Sequence, residues 1–98
     1  MPVVLRHRVT GEVAAGMLRN AYDIMYYGAL WWENTESAEA LSGDALAAAG
    51  YGEGSDWDLL EIGEDRLKMM NVKLNNDSGR RLLLGRDGTI TMERSRPR

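Results

Sequence analysis

Near the start of the chain Val3, Leu5 and Val9 share one face and Arg6 and Arg8 the other. A period of two predicts a half-buried strand, with His7 on the apolar side. Thr10-Gly11 then supplies turn chemistry. Residues 12–25 fit two templates. As a helix, Glu12, Gly16, Arg19 and Asp23 form a polar stripe opposite Ala14, Met17, Leu18, Ala21 and Met25. As a strand, Val13, Ala15 and Met17 share a face. Gly16 and the absence of an N-cap weaken the helix, so a hairpin with the first strand is the expectation.

From Ile24 to Trp32 the chain is almost continuously apolar, as in a strand covered on both faces, and Gly28 inside it suggests a bulge or a close backbone approach. Asn34 or Thr35 can cap a helix whose first turn holds Glu36 and Glu39. That helix runs along Ala38, Leu41, Ala45 and Ala48, with Leu46 and Ala49 beside them, and stops at Gly50; Gly43 interrupts its middle.

Residues 51–55 read as a loop and 57–62 as a strand. In 66–74 Met70, Val72 and Leu74 alternate with Asn71 and Lys73, which predicts a strand; a helix through Leu67, Met70 and Leu74 is the competing reading. Asn75-Asn76-Asp77-Ser78-Gly79 is a hairpin turn, Arg80 to Leu84 a strand, Arg86-Asp87-Gly88 a tight turn, and Thr89 to Met92 the returning strand. The fold class is therefore α+β: an antiparallel sheet of about five to seven strands with one central helix packed on a face. Residues 1–93 form the domain and 94–98 a frayed basic tail.

Composition sharpens this. A length of 98 residues suits one core, and 44% hydrophobic with 28% charged residues is ordinary globular usage. No stretch approaches the roughly 20 apolar residues of a membrane span, and the N-terminus lacks a signal-peptide pattern. With no cysteine and one histidine, disulfides, thiolate sites and the usual zinc sites are excluded. The expectation is a cytoplasmic protein with no cofactor and no metal.

Charge is segregated along the chain. Residues 12–65 carry twelve acids against Arg19 alone, a net of −11, whereas 66–98 are net +6 and 1–11 net +2. Either the segments neutralise each other across neighbouring strands, or an acidic surface steers a basic partner. Phe is absent, yet Tyr22, Tyr26, Tyr27, Trp31 and Trp32 crowd into one segment. Tyr and Trp combine apolar area with a polar handle, and adjacent tryptophans on a strand point to opposite faces. One of the two is then expected at the surface.

Three functional readings follow. The leading one is a non-catalytic interaction module that self-associates as a homodimer, or binds a partner with a basic surface, through Tyr26, Tyr27, Trp31 and Trp32. An alternative is nucleic-acid binding through Arg80, Arg81, Arg86, Arg94 and Arg96, disfavoured by overall acidity and by the lack of aromatics beside those arginines. A third is a small enzyme or ligand-binding domain using His7 or the carboxylates Asp56, Asp58 and Glu61. The pattern Gly-Tyr-Gly-Glu-Gly at 50–54 lacks the residues of a phosphate loop, and no motif is specific enough to assign a family.

Overall fold

The structure, a computed structural model, describes residues 1–52 and 54–94. Ser95, Arg96, Pro97 and Arg98 of the expected tail, and Glu53, lie outside that range. Eight strands and two helices follow in chain order: β1 Val3–His7, β2 Glu12–Val13, β3 Ala15–Arg19, β4 Met25–Ala29, β5 Trp31–Trp32, α1 Thr35–Ala48, β6 Trp57–Glu61, α2 Glu64–Leu74, β7 Arg80–Leu84 and β8 Ile90–Arg94. A 3₁₀ turn at Gly54–Asp56 leads into β6. Arg94, assigned above to the tail, closes β8 opposite Arg80.

β1 is the hub of a six-stranded antiparallel sheet. β6 pairs along its whole length, from Val3↔Glu61 to His7↔Trp57, so β5 and β2 must share the other edge. β2 continues to β7, and β7 to β8. β3 and β4 form a separate two-stranded sheet, with Met17 opposite Tyr27. The antiparallel α+β class expected from the sequence is the one observed.

Of the hairpin with β1 expected over 12–25 only the short β2 pairs with β1. The chain divides at Ala14, whose N–H donates to Leu5 and whose carbonyl accepts from Leu30; β3 pairs with β4 instead, and residues 20–24 form the turn between those two. The aromatic run is broken at Leu30 in the same way. β1 is not half-buried: Val3, Val4 and Leu5 are all buried, because the strand has a helix layer on each face. Val4 joins Ile62, Leu67, Met70, Leu74, Leu82 and Leu84 in the core under α2. Leu5 joins Leu30, Leu46 and Trp57 in the core under α1. Val9 lies beyond the end of β1, exposed in the turn.

The segment 66–74 is a helix, not a strand. Glu64 and Asp65 in its first turn and Lys73 in its last suit the helix dipole, and Asn75 ends it in the left-handed conformation at φ 52°. Leu67, Met70 and Leu74 face the core at helical spacing, while Val72 is 69% exposed. The molecule thus has two helices, one per sheet face, rather than the single helix expected. Asn75 to Gly79 accordingly joins a helix to a strand and is not a hairpin turn.

α1 begins at the expected cap, Asn34, whose side chain accepts from the Ser37 N–H at 2.8 Å. Its buried stripe is rotated from the expected one: Ala38 and Leu46 are inside, but Leu41 is outside. No helix among the described residues is long and apolar enough to cross a membrane.

Candidate functional site

A cleft of about 860 Å³ opens between β3 and the C-terminal half of α1. Leu18, Leu30, Trp32, Ala48 and Ala49 line it, with Tyr27 and Tyr51 deeper in. Small side chains on the last turns of α1 make this room: Gly16 sits so near that an added Cβ would lie 3.3 Å from Leu30 and 3.5 Å from Ala49.

Tyr51 anchors the floor. Its hydroxyl accepts the Ala15 N–H at 3.0 Å, and its ring meets Trp57 edge-on at 5.0 Å. Burial pushes its pKa up to about 12, partly offset by the Ala15 N–H. Tyr27 adjoins it and is likewise raised, chiefly by burial, with the Tyr51 hydroxyl pulling it part of the way back. Both phenols are therefore neutral donors at physiological pH.

Three of the four aromatics expected at a partner face meet here. Tyr27, Trp31 and Trp32 line the cleft; Trp31 is 38% exposed, so one of the two tryptophans is at the surface as expected, but Trp32 is only half-buried and both border the same cleft. Tyr26 points away from Tyr27, as strand neighbours do. Its ring lies against Gly28, where an added Cβ would come within 2.8 Å of it and 2.9 Å of the Asn71 side chain. Gly28 is thus a close backbone approach, one of the two roles its position suggested.

The two edges of the β3–β4 sheet are treated differently. On β4 the outward N–H groups are those of Met25, Tyr27 and Ala29. Asn76 takes that of Tyr27 at 2.7 Å and Asn71 that of Ala29 at 3.0 Å, while that of Met25, at the strand's start, has no partner among the described residues. On β3 the outward groups are those of Ala15, Met17 and Arg19, since hydrogen-bonding direction alternates along a strand. Tyr51 takes the first. Among the described residues nothing takes the N–H of Met17 or Arg19. β3 is an open strand edge flanking an apolar cleft, and sequence reasoning missed it, because the period-two pattern cannot show which edge stays unpaired.

The rim is acidic. Glu33 neighbours Trp31, and Glu36, Glu39 and Asp44 are exposed along α1 with no ion pair among the described residues. Of the ion pairs found there, only Arg8–Asp58 at 2.9 Å links the acidic segment to another. It raises the Arg8 pKa and lowers that of Asp58.

Other expected chemistry is dispersed. His7 caps the β1–β2 turn, its Nδ1 accepting from Val9 and Thr10 at 3.2 Å each, and its ring stands edge-on to Trp57 at 5.0 Å. Asp58 is held by Arg8, and no group of three or more acidic or histidine side chains gathers among the described residues. Arg80 and Arg94 flank Asp77 on one face of the β7–β8 hairpin, whereas Arg81 faces Glu93 on the other. Arg86 sits in the turn, and Arg96 lies outside the described residues. Compared with family models, curated proteins and solved structures, the chain matches none.

Proposed function

We propose that the protein is a non-catalytic interaction module that captures an extended, basic segment of a partner protein by strand addition to β3. The observation that carries this reading is the free edge at Met17 and Arg19 beside an apolar cleft, while the other edge of the same sheet is capped at Tyr27 and Ala29. In strand addition, main-chain hydrogen bonds supply affinity and alternate side chains enter pockets.

Three features support a basic occupant. The cleft wall carries no charge of its own. Glu33 follows the cleft-lining Trp32, Glu36, Glu39 and Asp44 are exposed along α1, which forms one wall, and α1 ends toward the cleft with no basic residue in its last turn. The negative end of the helix dipole therefore adds to the acidic rim. Self-pairing of β3 would instead bring two acidic rims together, which disfavours a second copy as the occupant.

Selection of displayed random peptides on the immobilised protein tests this. Recovered sequences are expected to be rich in Lys and Arg with alternating apolar residues, and to shift the amides of residues 15–19. Met17→Pro removes the outward N–H at an edge position where proline is tolerated, and should abolish their binding while leaving the melt intact. Equal binding by that variant, or shifts confined elsewhere, overturns the reading. Dimerisation that Met17→Pro abolishes would make a second copy the occupant.

A further inference from the structure

A second cleft, of about 510 Å³, lies between β1, the start of α2 and the β7–β8 turn and shares no lining residue with the first. It is built from elements remote from the β3 edge, so it stands or falls independently of the proposal above. Arg6 of β1, Arg66 of α2 and Arg86 of the turn converge on it. In a molecule of net charge −3 this is a local surplus of positive charge, opposed on the cleft wall by Glu61 alone.

None of the three guanidinium groups is ion-paired among the described residues, although Arg6, across from Asp58 on β6, is near enough to help lower that carboxyl's pKa. The Nε of Arg6 donates to the Leu84 carbonyl at 2.7 Å, and Arg66 donates to the Gly88 carbonyl. These bonds orient the side chains through carbonyl oxygens, which carry no formal charge. Among the described residues no carboxylate lies within ion-pair distance of Arg6, Arg66 or Arg86. Planar guanidinium groups held in fixed positions match the oxygens of phosphate in a bidentate manner.

The rest of the wall fits the remainder of a small ligand. Leu60, Ile62 and Leu84 provide an apolar floor with Met1 at the mouth. Gly63, which caps α2 without a side-chain hydrogen bond, lines the same space and leaves the backbone there uncovered by a side chain. The volume falls in the range of small-molecule sites.

We infer that this cleft binds a small phosphate-bearing organic molecule, its phosphate held by Arg6, Arg66 and Arg86 and its apolar part on Leu60, Ile62 and Leu84. Among the described residues the cleft wall holds one carboxylate, Glu61, and no histidine, and the inference is of binding.

The test is a titration of ¹⁵N-labelled protein with inorganic phosphate, pyrophosphate and adenosine 5′-monophosphate at constant ionic strength. Saturable shifts are expected at the Arg6, Arg66 and Arg86 side-chain N–H signals and at the amides of 63–65 and 85–88. The monophosphate should bind more tightly than inorganic phosphate. Arg86→Gln, an exposed turn position outside the core, should weaken binding about tenfold or more. Arg8→Gln, whose side chain is tied to Asp58 outside the cleft, should leave it unchanged. Shifts that never saturate, or that persist in Arg86→Gln, overturn the inference. So does oligouridylate RNA binding that the monophosphate does not displace, which would assign the arginines to a nucleic-acid backbone.

Discussion

Tyr51 shows how much of the site one side chain holds. Its hydroxyl terminates the paired part of the β3 edge at Ala15, and its ring joins the core under α1. Tyr51→Phe keeps the ring but leaves the Ala15 N–H without an acceptor, at an expected cost of ~1–3 kcal/mol by urea melts. The raised pKa carries a second expectation. Unfolded tyrosine ionises near 10 and folded Tyr51 at about 12. Between those values the unfolded chain has given up a proton that the native state keeps. Stability contributed by the neutral phenol is therefore complete below about pH 10 and lost as pH rises toward about 12. Tyr27 acts with the same sign. The ring of Tyr51 is only half-buried, so water screens the effect to ~1–2 kcal/mol. Melts across this window should show a falling midpoint in the wild type and a shallower fall in Tyr51→Phe; equal slopes would remove Tyr51 from the account.

Among the elements, α2 caps a neighbour as well as packing on it. Asn71, and Asn76 just past the helix end, give Tyr27 and Ala29 of β4 the acceptors that a further strand would have given, so that part of the edge is already occupied. Asn71→Ala should cost ~1–3 kcal/mol, because the buried Ala29 backbone loses its acceptor, and should speed hydrogen exchange at Ala29. Met17→Pro on the free edge should change stability by less than about 1 kcal/mol. A reversed order of these two costs would contradict the unequal treatment of the edges. The sequence showed this helix imperfectly, because Met70 and Leu74 fit both templates: they are two steps of two apart on a strand and one turn apart on a helix. Val72 decided for the strand on the page and is exposed in the fold. The acids at 64 and 65 and the asparagine at 75 are helix-end signals that weigh the other way.

At the scale of the whole molecule, charge segregation along the chain becomes segregation in space. The C-terminal arginines of β7 and β8 are paired with Asp77 and Glu93 of their own segment. The acids of α1 are left to face solvent. Light scattering should give a mass near 10.9 kDa at every concentration, since like-charged rims oppose self-pairing of β3. A concentration-dependent dimer would refute that. Binding of selected basic peptides should weaken steeply as salt rises past about 0.15 M, where screening shortens to roughly 8 Å; salt-independent binding would mean the rim plays no part.

Local signals alone determined α1 and its asparagine cap, the strands at 57–61 and 80–84, the turn at 86–88, the antiparallel α+β class and the crowding of aromatics into one segment. Each is written within a few residues, as a cap, a period or a turn residue, and needs no distant partner to be read. The tertiary structure alone decided that β1 is covered on both faces, that Tyr27, Trp31 and Trp32 share a cleft from which Tyr26 turns away, and that three arginines from remote segments meet in another. Those outcomes depend on which strand lies beside which and which edge is left over. Contacts between separate elements set them, such as Val4 with Trp31, Ala15 with Tyr51 and Arg6 with Leu84, and no local pattern encodes such pairings.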